Sequence, residues 1–250
     1  MLAIERRSQI LSGLESEKSV LVSDLSRKFG VTEETIRRDL EKLEKEGLAK
    51  KTYGGAVLAE GLSAEPSFRM REKTNIAQKL IIAEKIFNLV DPKDNIMMDA
   101  SSTCVLAAKK LKNKDGLTII TNSVEILMEC AVSDTVSLMS TGGSLRGSSL
   151  SLVGHSAADF MERFTVDKAI ISCKGLDFSK GVTESSIAEA EIKKAMADNA
   201  KQVILAVDSS KFDRLSFAKS LDFGMVHCVV SDKIPAQWID FFDKNNIEYL

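Results

Sequence analysis

The chain of 250 residues is longer than one average domain and points to two unequal ones. With 44% hydrophobic and 28% charged residues and only 3 Pro and 14 Gly, its composition is globular and excludes disordered and collagen-like classes. Thirty-four Lys and Arg against 36 Asp and Glu leave no overall basic field, so any nucleic-acid contact has to be local.

Apolar Ile4, Ile10, Leu11 and Leu14 recur at helical spacing and predict a first helix over residues 2–14, followed by a polar break at 15–19. Leu21, Leu25 and Phe29 predict a short second helix that starts near Val22 or Ser23 and ends at Gly30. Thr32 suits the N-cap of a third helix, because its hydroxyl accepts from free amides of the first turn, while Glu33 and Glu34 favour the positive helix end. Along that helix Ile36, Leu40 and Leu43 form one buried stripe, which projects Thr35, Arg38 and Lys42 outward with Arg37 on the flank. After Gly47, residues 48–52, a Tyr53-Gly54-Gly55 turn and residues 56–58 read as a hairpin with Lys50 and Lys51 near its tip.

Two short helices, a turn at Gly30 and a third helix with cations near its start make a helix-turn-helix, and the hairpin behind it is a wing. Thr32, Thr35, Arg37, Arg38, Lys42, Lys50 and Lys51 are the candidate contacts to double-stranded DNA. An isolated Arg pair on an amphipathic helix is more often a solvated face; the turn before it and the basic hairpin after it favour the major groove. Residues 1–58 carry 11 basic and 10 acidic side chains, so the phosphate-derived affinity of one copy is modest and tight binding calls for a homodimer or homotetramer.

Residues 59–73, with Gly61, Ser63, Pro66 and Ser67, lack periodicity and read as a linker between a domain at 1–58 and one at 74–250. A helix over residues 75–89 then opens a rhythm of short apolar runs separated by helices. The runs, at 96–98, 117–120, 136–139, 169–171, 203–207 and 226–230, predict a mostly parallel sheet covered on both faces, an α/β class. Ligands of such sheets bind beyond the carboxyl ends of the strands. The residues there are Asp99, Ser101, Ser102 and Thr103; Thr121, Asn122 and Ser123; Gly142 and Gly143 with Arg146; Lys174 and Gly175 with Glu184; and Asp208 with Lys211.

These residues suit a small phosphorylated sugar or polyol. Ser101, Ser102 and Thr103 precede a helix whose free amides favour an anion, Lys211 with Arg146 or Lys174 supplies countercharge, and Asp99, Glu184 and Asp208 accept from hydroxyls. In any single loop the same residue types often do no more than cap a helix. As a rival reading, Asp99, Glu184, Asp208 and Lys211 form an acid–base set for a sugar-phosphate isomerase, against which stands the winged helix. Neither a dinucleotide-binding glycine turn nor a phosphate loop with its lysine occurs, so no cofactor is expected. Only His155 and His227 are present, which excludes a histidine-rich metal centre; no metal is expected. No 18-residue apolar run predicts a membrane span, and residues 1–7 do not read as an export signal. Cys104, Cys130, Cys173 and Cys228 are widely spaced, as for reduced, buried thiols of a cytoplasmic protein.

The stretch Val31-Thr32-Glu33-Glu34-Thr35-Ile36-Arg37-Arg38-Asp39-Leu40, with Gly54-Gly55-Ala56 behind it, resembles the N-terminal motif of the DeoR family of bacterial transcriptional regulators. The segments around Asp99, Thr121, Gly142, Glu184 and Asp208 resemble that family's effector domain, so the likeness covers nearly the whole chain. It implies a regulator, usually a repressor, with an effector domain related to sugar-phosphate isomerase and coenzyme A transferase folds that senses phosphorylated sugars. The chain departs from the family at the wing, where Lys51 and Tyr53 stand in place of Arg and His, and at Lys174, where many members have a small residue.

Overall fold

The computed structural model describes residues 1–59 and 65–250; Gly61 and Ser63, read as linker residues, lie outside the described residues. The chain divides into two compact units, Met1–Ile76 and Ala77–Leu250.

The first unit contains α1 (Ala3–Glu17), β1 (Ser19–Leu21), α2 (Val22–Phe29), α3 (Glu33–Lys45), β2 (Ala49–Thr52), β3 (Gly55–Leu58) and α4 (Phe68–Arg71). Ile10, Leu11, Leu14, Val22, Leu25, Ile36, Leu40, Leu43 and Met70 share one apolar core. Three differences from the sequence reading have local causes. Helix α1 continues through the supposed break to Glu17 and stops at Lys18, whose positive φ of 65° lets its amide cap the helix on the Leu14 carbonyl. Leu21 is in a short strand rather than a helix, because β1 pairs with β3 of the wing, Val20 facing Ala56. The supposed linker holds the single turn α4, whose Met70 is buried in the core; one turn is too short to show a period.

Pairing also explains a glycine of the wing. A Cβ on Gly55 would lie 2.1 Å from the Val20 carbonyl oxygen, so only glycine lets the wing close against β1.

The second unit follows as α5 (Ile76–Leu89), β4 (Asn95–Met98), α6 (Ser102–Leu111), β5 (Thr118–Thr121), α7 (Val124–Cys130), β6 (Ser137–Ser140), β7 (Ser144–Arg146), β8 (Ser151–Val153), α8 (His155–Met161), β9 (Val166–Ile171), β10 (Gly175–Asp177), β11 (Gly181–Glu184), α9 (Ile187–Asp198), β12 (Ala200–Ala206), β13 (Ala218–Leu221), β14 (Cys228–Val230), α10 (Ala236–Lys244) and β15 (Glu248–Tyr249). Seven strands form one sheet in the order β15-β14-β12-β9-β4-β5-β6, with every pairing parallel. All six apolar runs lie in this sheet. The β7–β8 hairpin and the small antiparallel sheet β10-β11-β13 were not foreseen; their strands are short and carry too few alternating residues to be told from loops.

The order positions the site. The chain lays β4, β5 and β6 side by side in one direction, then returns to place β9, β12, β14 and β15 on the other side of β4. The direction reverses between β4 and β9, which makes their carboxyl ends the topological switch point where open α/β sheets bind ligands. Among the described residues no helix is long and apolar enough to cross a membrane. All four cysteines are free and buried.

Candidate functional site

In the first unit, α2 and α3 are joined through Gly30, whose φ of 64° allows its amide to cap α2 on the Ser26 carbonyl. The Thr32 hydroxyl accepts from the Thr35 amide at 3.3 Å, the cap expected for α3. Thr32, Arg37, Arg38, Lys42, Lys50 and Lys51 are exposed and Thr35 is half-buried. Several of the cations are engaged within the unit: Arg37 with Glu33 at 2.6 Å, Arg38 with Glu34 at 3.2 Å and Lys51 with Glu41 at 3.1 Å. These exposed pairs are worth little and exchange readily for stronger anions.

Sequence reasoning missed what fixes α3. Asp39, a single carboxylate on its inner side, is 4% exposed and receives Arg6 Nε at 2.5 Å, with Arg7 at 3.5 Å. The pair ties α1 to α3, so the outward direction of Arg37 and Arg38 depends on a buried charge in the same four-residue stretch. The readable signal was an acid on the same face as Ile36, Leu40 and Leu43.

In the second unit, Asp99 ends β4 and reaches across the switch point. One of its oxygens accepts the Ser101 amide at 3.0 Å, the other the Ser172 amide beyond β9 at 2.9 Å. Lys193 of α9 pairs with Asp99 at 2.9 Å and with Glu184 at the end of β11, and donates to the Ser172 carbonyl at 2.7 Å. All of these side chains are buried. Burial alone raises the pKa of Asp99, but Lys193 and the Ser101 and Ser172 donors outweigh it and hold the carboxyl below its usual range. Burial likewise opposes the Lys193 charge, and Asp99, Glu184 and Glu189 override it, pushing the ammonium well above its ordinary value.

The network extends along α9. Glu189 accepts from Ser151 Oγ at 2.5 Å and lies 3.9 Å from Arg146, while Ser149 and Ser151 share a hydrogen bond at 2.8 Å. Asn122, at the end of β5, holds the β7–β8 hairpin over this side by donating to the Leu152 carbonyl at 3.1 Å. On the other side, Asp208 ends β12; burial pushes its pKa up, but Lys211, Ser210 and Lys79 bring it below the ordinary range. The Cys173 thiol is pushed up to about 12 chiefly by burial and then by Glu184, with Lys193 and Lys211 opposing the rise and Asp208 adding to it.

The five strand ends read from the sequence belong to five consecutive strands, β12, β9, β4, β5 and β6. Four inter-strand spacings of about 4.8 Å separate the outermost, roughly 19 Å, more than a small sugar phosphate spans. The hydroxyls also divide. Ser101 caps α6, Ser123 caps α7, and Thr121 accepts the Ser123 amide while donating to the Met98 carbonyl. Ser102 and Thr103 are buried in the first turn of α6. Two glycines are explained by packing: a Cβ on Gly143 would meet the Val153 carbonyl at 2.7 Å, and one on Gly175 the Arg214 carbonyl at 2.2 Å. Gly142 is exposed, and Lys174 is half-buried with its amide on the Thr183 carbonyl. Lys79, Glu189 and Lys193 escaped the sequence reading because helices supply them, while the strand-end rule looks only at loops. Two buried polar atoms near this network, Asn122 Oδ1 and Ser185 Oγ, have no hydrogen-bond partner among the described residues.

A winged helix-turn-helix followed by an α/β domain with a polar switch point defines a DNA-binding regulator with a sensor domain. A model of the DeoR-like helix-turn-helix domain matches residues 6–61, and one of the DeoR C terminal sensor domain matches residues 74–233. The chain belongs to the DeoR family of transcriptional regulators. It is 40% identical over 232 residues to the uncharacterized HTH-type transcriptional regulator YulB of Bacillus subtilis (strain 168), covering 93% of this chain and 90% of that one. It is 31% identical to a putative aga operon transcriptional repressor of Escherichia coli O157:H7 (98% and 93% covered) and 28% identical to the glycerol-3-phosphate regulon repressor of Escherichia coli (strain K12) (94% and 93% covered). These relatives are named as regulators or repressors and not as enzymes, so the isomerase alternative is not favoured. Among solved structures, the translation initiation factor eIF-2B of Pyrococcus horikoshii OT3 is similar in fold, with a TM-score of 0.52 at 14% identity over 95% of this chain and 92% of that one.

Proposed function

We propose that this regulator is a repressor of carbohydrate genes whose affinity for operator DNA is set by a phosphorylated sugar or polyol bound at the β4/β9 switch point. The observation that carries the reading is the buried polar network there, in which Asp99, Glu184 and Lys193 join three strand ends while Asn122 Oδ1 and Ser185 Oγ have no partner among the described residues. Buried polar atoms of this kind are costly unless a donor or acceptor meets them, and ligand hydroxyls supply both. The names of the aga operon and glycerol-3-phosphate regulon repressors agree with a sugar- or polyol-derived effector.

The DNA contacts are Thr32, Thr35, Arg37, Arg38 and Lys42 of α3 and its cap, with Lys50 and Lys51 of the wing. The effector contacts center on Ser102, Thr103, Asn122, Glu184 and Lys211, with Asp99 and Asp208 holding the rim in shape. The near balance of charge in the first unit supports a homodimer or homotetramer on half-sites one helical turn apart. Control is linkage: a coupling of about 1–3 kcal/mol between effector and DNA changes operator affinity by roughly 5- to 150-fold.

Arg38→Ala tests the DNA half. Loss of a base-edge contact is expected to weaken operator binding by about 1–3 kcal/mol and to relax specificity at one base pair. A uniform loss across sequences, with a salt slope smaller by about one, would assign Arg38 to a phosphate instead. Unchanged affinity in a fluorescence anisotropy titration removes it from the interface.

A further inference from the structure

The two edges of the seven-stranded sheet differ. At one, β15 is two residues long and carries the exposed Glu248, the short and charged form by which edges avoid pairing. At the other, β6 is paired only on its β5 side among the described residues, and residues 135–145 hold neither a charged residue nor a proline. In a chain 28% charged, an uncharged run of eleven residues is a departure, and it falls on the edge that most needs guarding.

The direction of the backbone groups of β6 follows from its bonds on the β5 side. The Thr135 carbonyl accepts from the Gly116 amide at 3.0 Å, while the Ser137 and Thr141 amides donate to the Leu117 and Thr121 carbonyls at 2.8 and 3.2 Å. Odd-numbered residues thus bond toward β5, and the alternation along a strand turns the amides and carbonyls of Val136, Leu138 and Ser140 outward. Beside them, α7, which packs against β6, and the turn between the two leave Met128 and Val132 70% and 78% exposed.

We propose that β6 is the interface between two copies of this chain, whose β6 strands pair antiparallel about a two-fold axis at Leu138. Centring on Leu138 uses all three outward residues: Leu138 of one copy faces Leu138 of the other, Val136 faces Ser140 in both directions, and about six main-chain hydrogen bonds form. The missing charge is what points to a second copy. A strand that pairs with itself brings each residue near the axis onto itself or a close neighbour, where a charge would face its like, whereas an edge for a foreign strand has no such restriction. Along the sheet the assembly closes at two, because β15 offers no second edge of this kind. This specifies the homo-oligomer of the proposed function and rests on that reading. The paired sheets run in opposite directions, so the β4/β9 switch points of the two copies open at opposite ends of one continuous sheet.

The test is the particle mass of the full-length protein by sedimentation velocity over a dilution series, for the wild type, Leu138→Lys and Ser140→Pro, with folding checked by circular dichroism. Leu138→Lys sets two like charges opposite each other at the axis and is expected to raise the dissociation constant at least about a hundredfold, read as a halved mass at concentrations where the wild type is intact. Ser140→Pro removes an amide that points away from β5, which an edge strand tolerates; each pair then loses two hydrogen bonds, an expected weakening of about tenfold. It serves if Leu138→Lys does not fold. A folded Leu138→Lys, or Ser140→Pro, that keeps the wild-type mass throughout the series overturns the role of β6 and leaves the homo-oligomer standing on another surface. A wild type that is monomeric at every concentration removes the homo-oligomer reading, and this proposal with it, and leaves β6 to a strand of another protein.

Discussion

Lys193→Met is expected to lower the melting temperature of the sensor domain by about 10 °C. The lysine sits between Asp99 and Glu184, all three fully or nearly fully buried, and methionine preserves length while removing the charge. Breaking a buried ion pair from one side costs about 3–5 kcal/mol, because the remaining charge has no compensation, and each kcal/mol moves a domain of this size by about 2–4 °C. The loss should depend on pH in a definite direction. In the wild type Asp99 titrates below the usual carboxylate value, so its contribution is present above about pH 4 and disappears as the pH falls through its own lowered pKa. Lys193 titrates above the usual lysine value; its contribution is complete below about pH 10 and is lost only as the pH rises beyond that. The difference between wild type and variant is therefore expected to hold in mildly alkaline solution up to about pH 10 and to shrink as the pH falls, beginning above the usual carboxylate range, because burial without Lys193 favours the protonated form of the abandoned Asp99. Adding Glu184→Gln to the variant should restore part of the loss, since one unpaired charge is then removed. A loss below about 1 kcal/mol, or one that grows in acid, would show that Lys193 does not neutralise this pair.

Asp39→Asn is expected to cost the DNA-binding unit about 3 kcal/mol and, with it, operator binding. The substitution keeps the shape and one acceptor for Arg6 but leaves two guanidinium groups, 9% and 13% exposed, without a countercharge. A unit of this size shifts by about 4–8 °C per kcal/mol, so the effect on melting is about 15 °C. Since α3 is held to α1 by this pair, operator affinity should fall along with stability even though Asp39 faces away from solvent. Recovery of operator affinity in Asp39→Asn at low temperature, where the unit is folded, separates a stabilising role from direct contact. Full affinity and an unchanged melting curve would mean that the Arg6 pair contributes nothing to the orientation of α3.

The winged helix was legible because its cues are local: a Thr32 cap, a stripe of Ile36, Leu40 and Leu43, and glycines at the turns each fix backbone over a few residues. The parallel sheet was legible for the same reason, each strand being a short apolar run bounded by polar residues. What escaped depends on partners far along the chain. β1 exists because β3 pairs with it, α4 because Met70 finds the core, and the β7–β8 hairpin because Asn122 and Glu189 hold it. At the site, the strand-end rule found Asp99, Glu184 and Asp208 but could not separate hydroxyls that cap helices, such as Ser101 and Ser123, from those that do not. The two cations that it missed, Lys79 and Lys193, come from helices. A lysine within an apolar stripe, as Lys79 before Ile82, Ala83 and Ile86, was the sign in the sequence that a charge is buried against α6.

The most direct measurement is a fluorescence anisotropy titration of labelled DNA from upstream of the protein's own locus, repeated with a panel of pentose, hexose and polyol phosphates and their unphosphorylated parents. The expected result is specific binding that one phosphorylated compound weakens by roughly 5- to 150-fold while its parent does not. Specific binding indifferent to every compound would contradict the effector assignment, and no specific binding to any upstream segment would contradict the proposed operator binding.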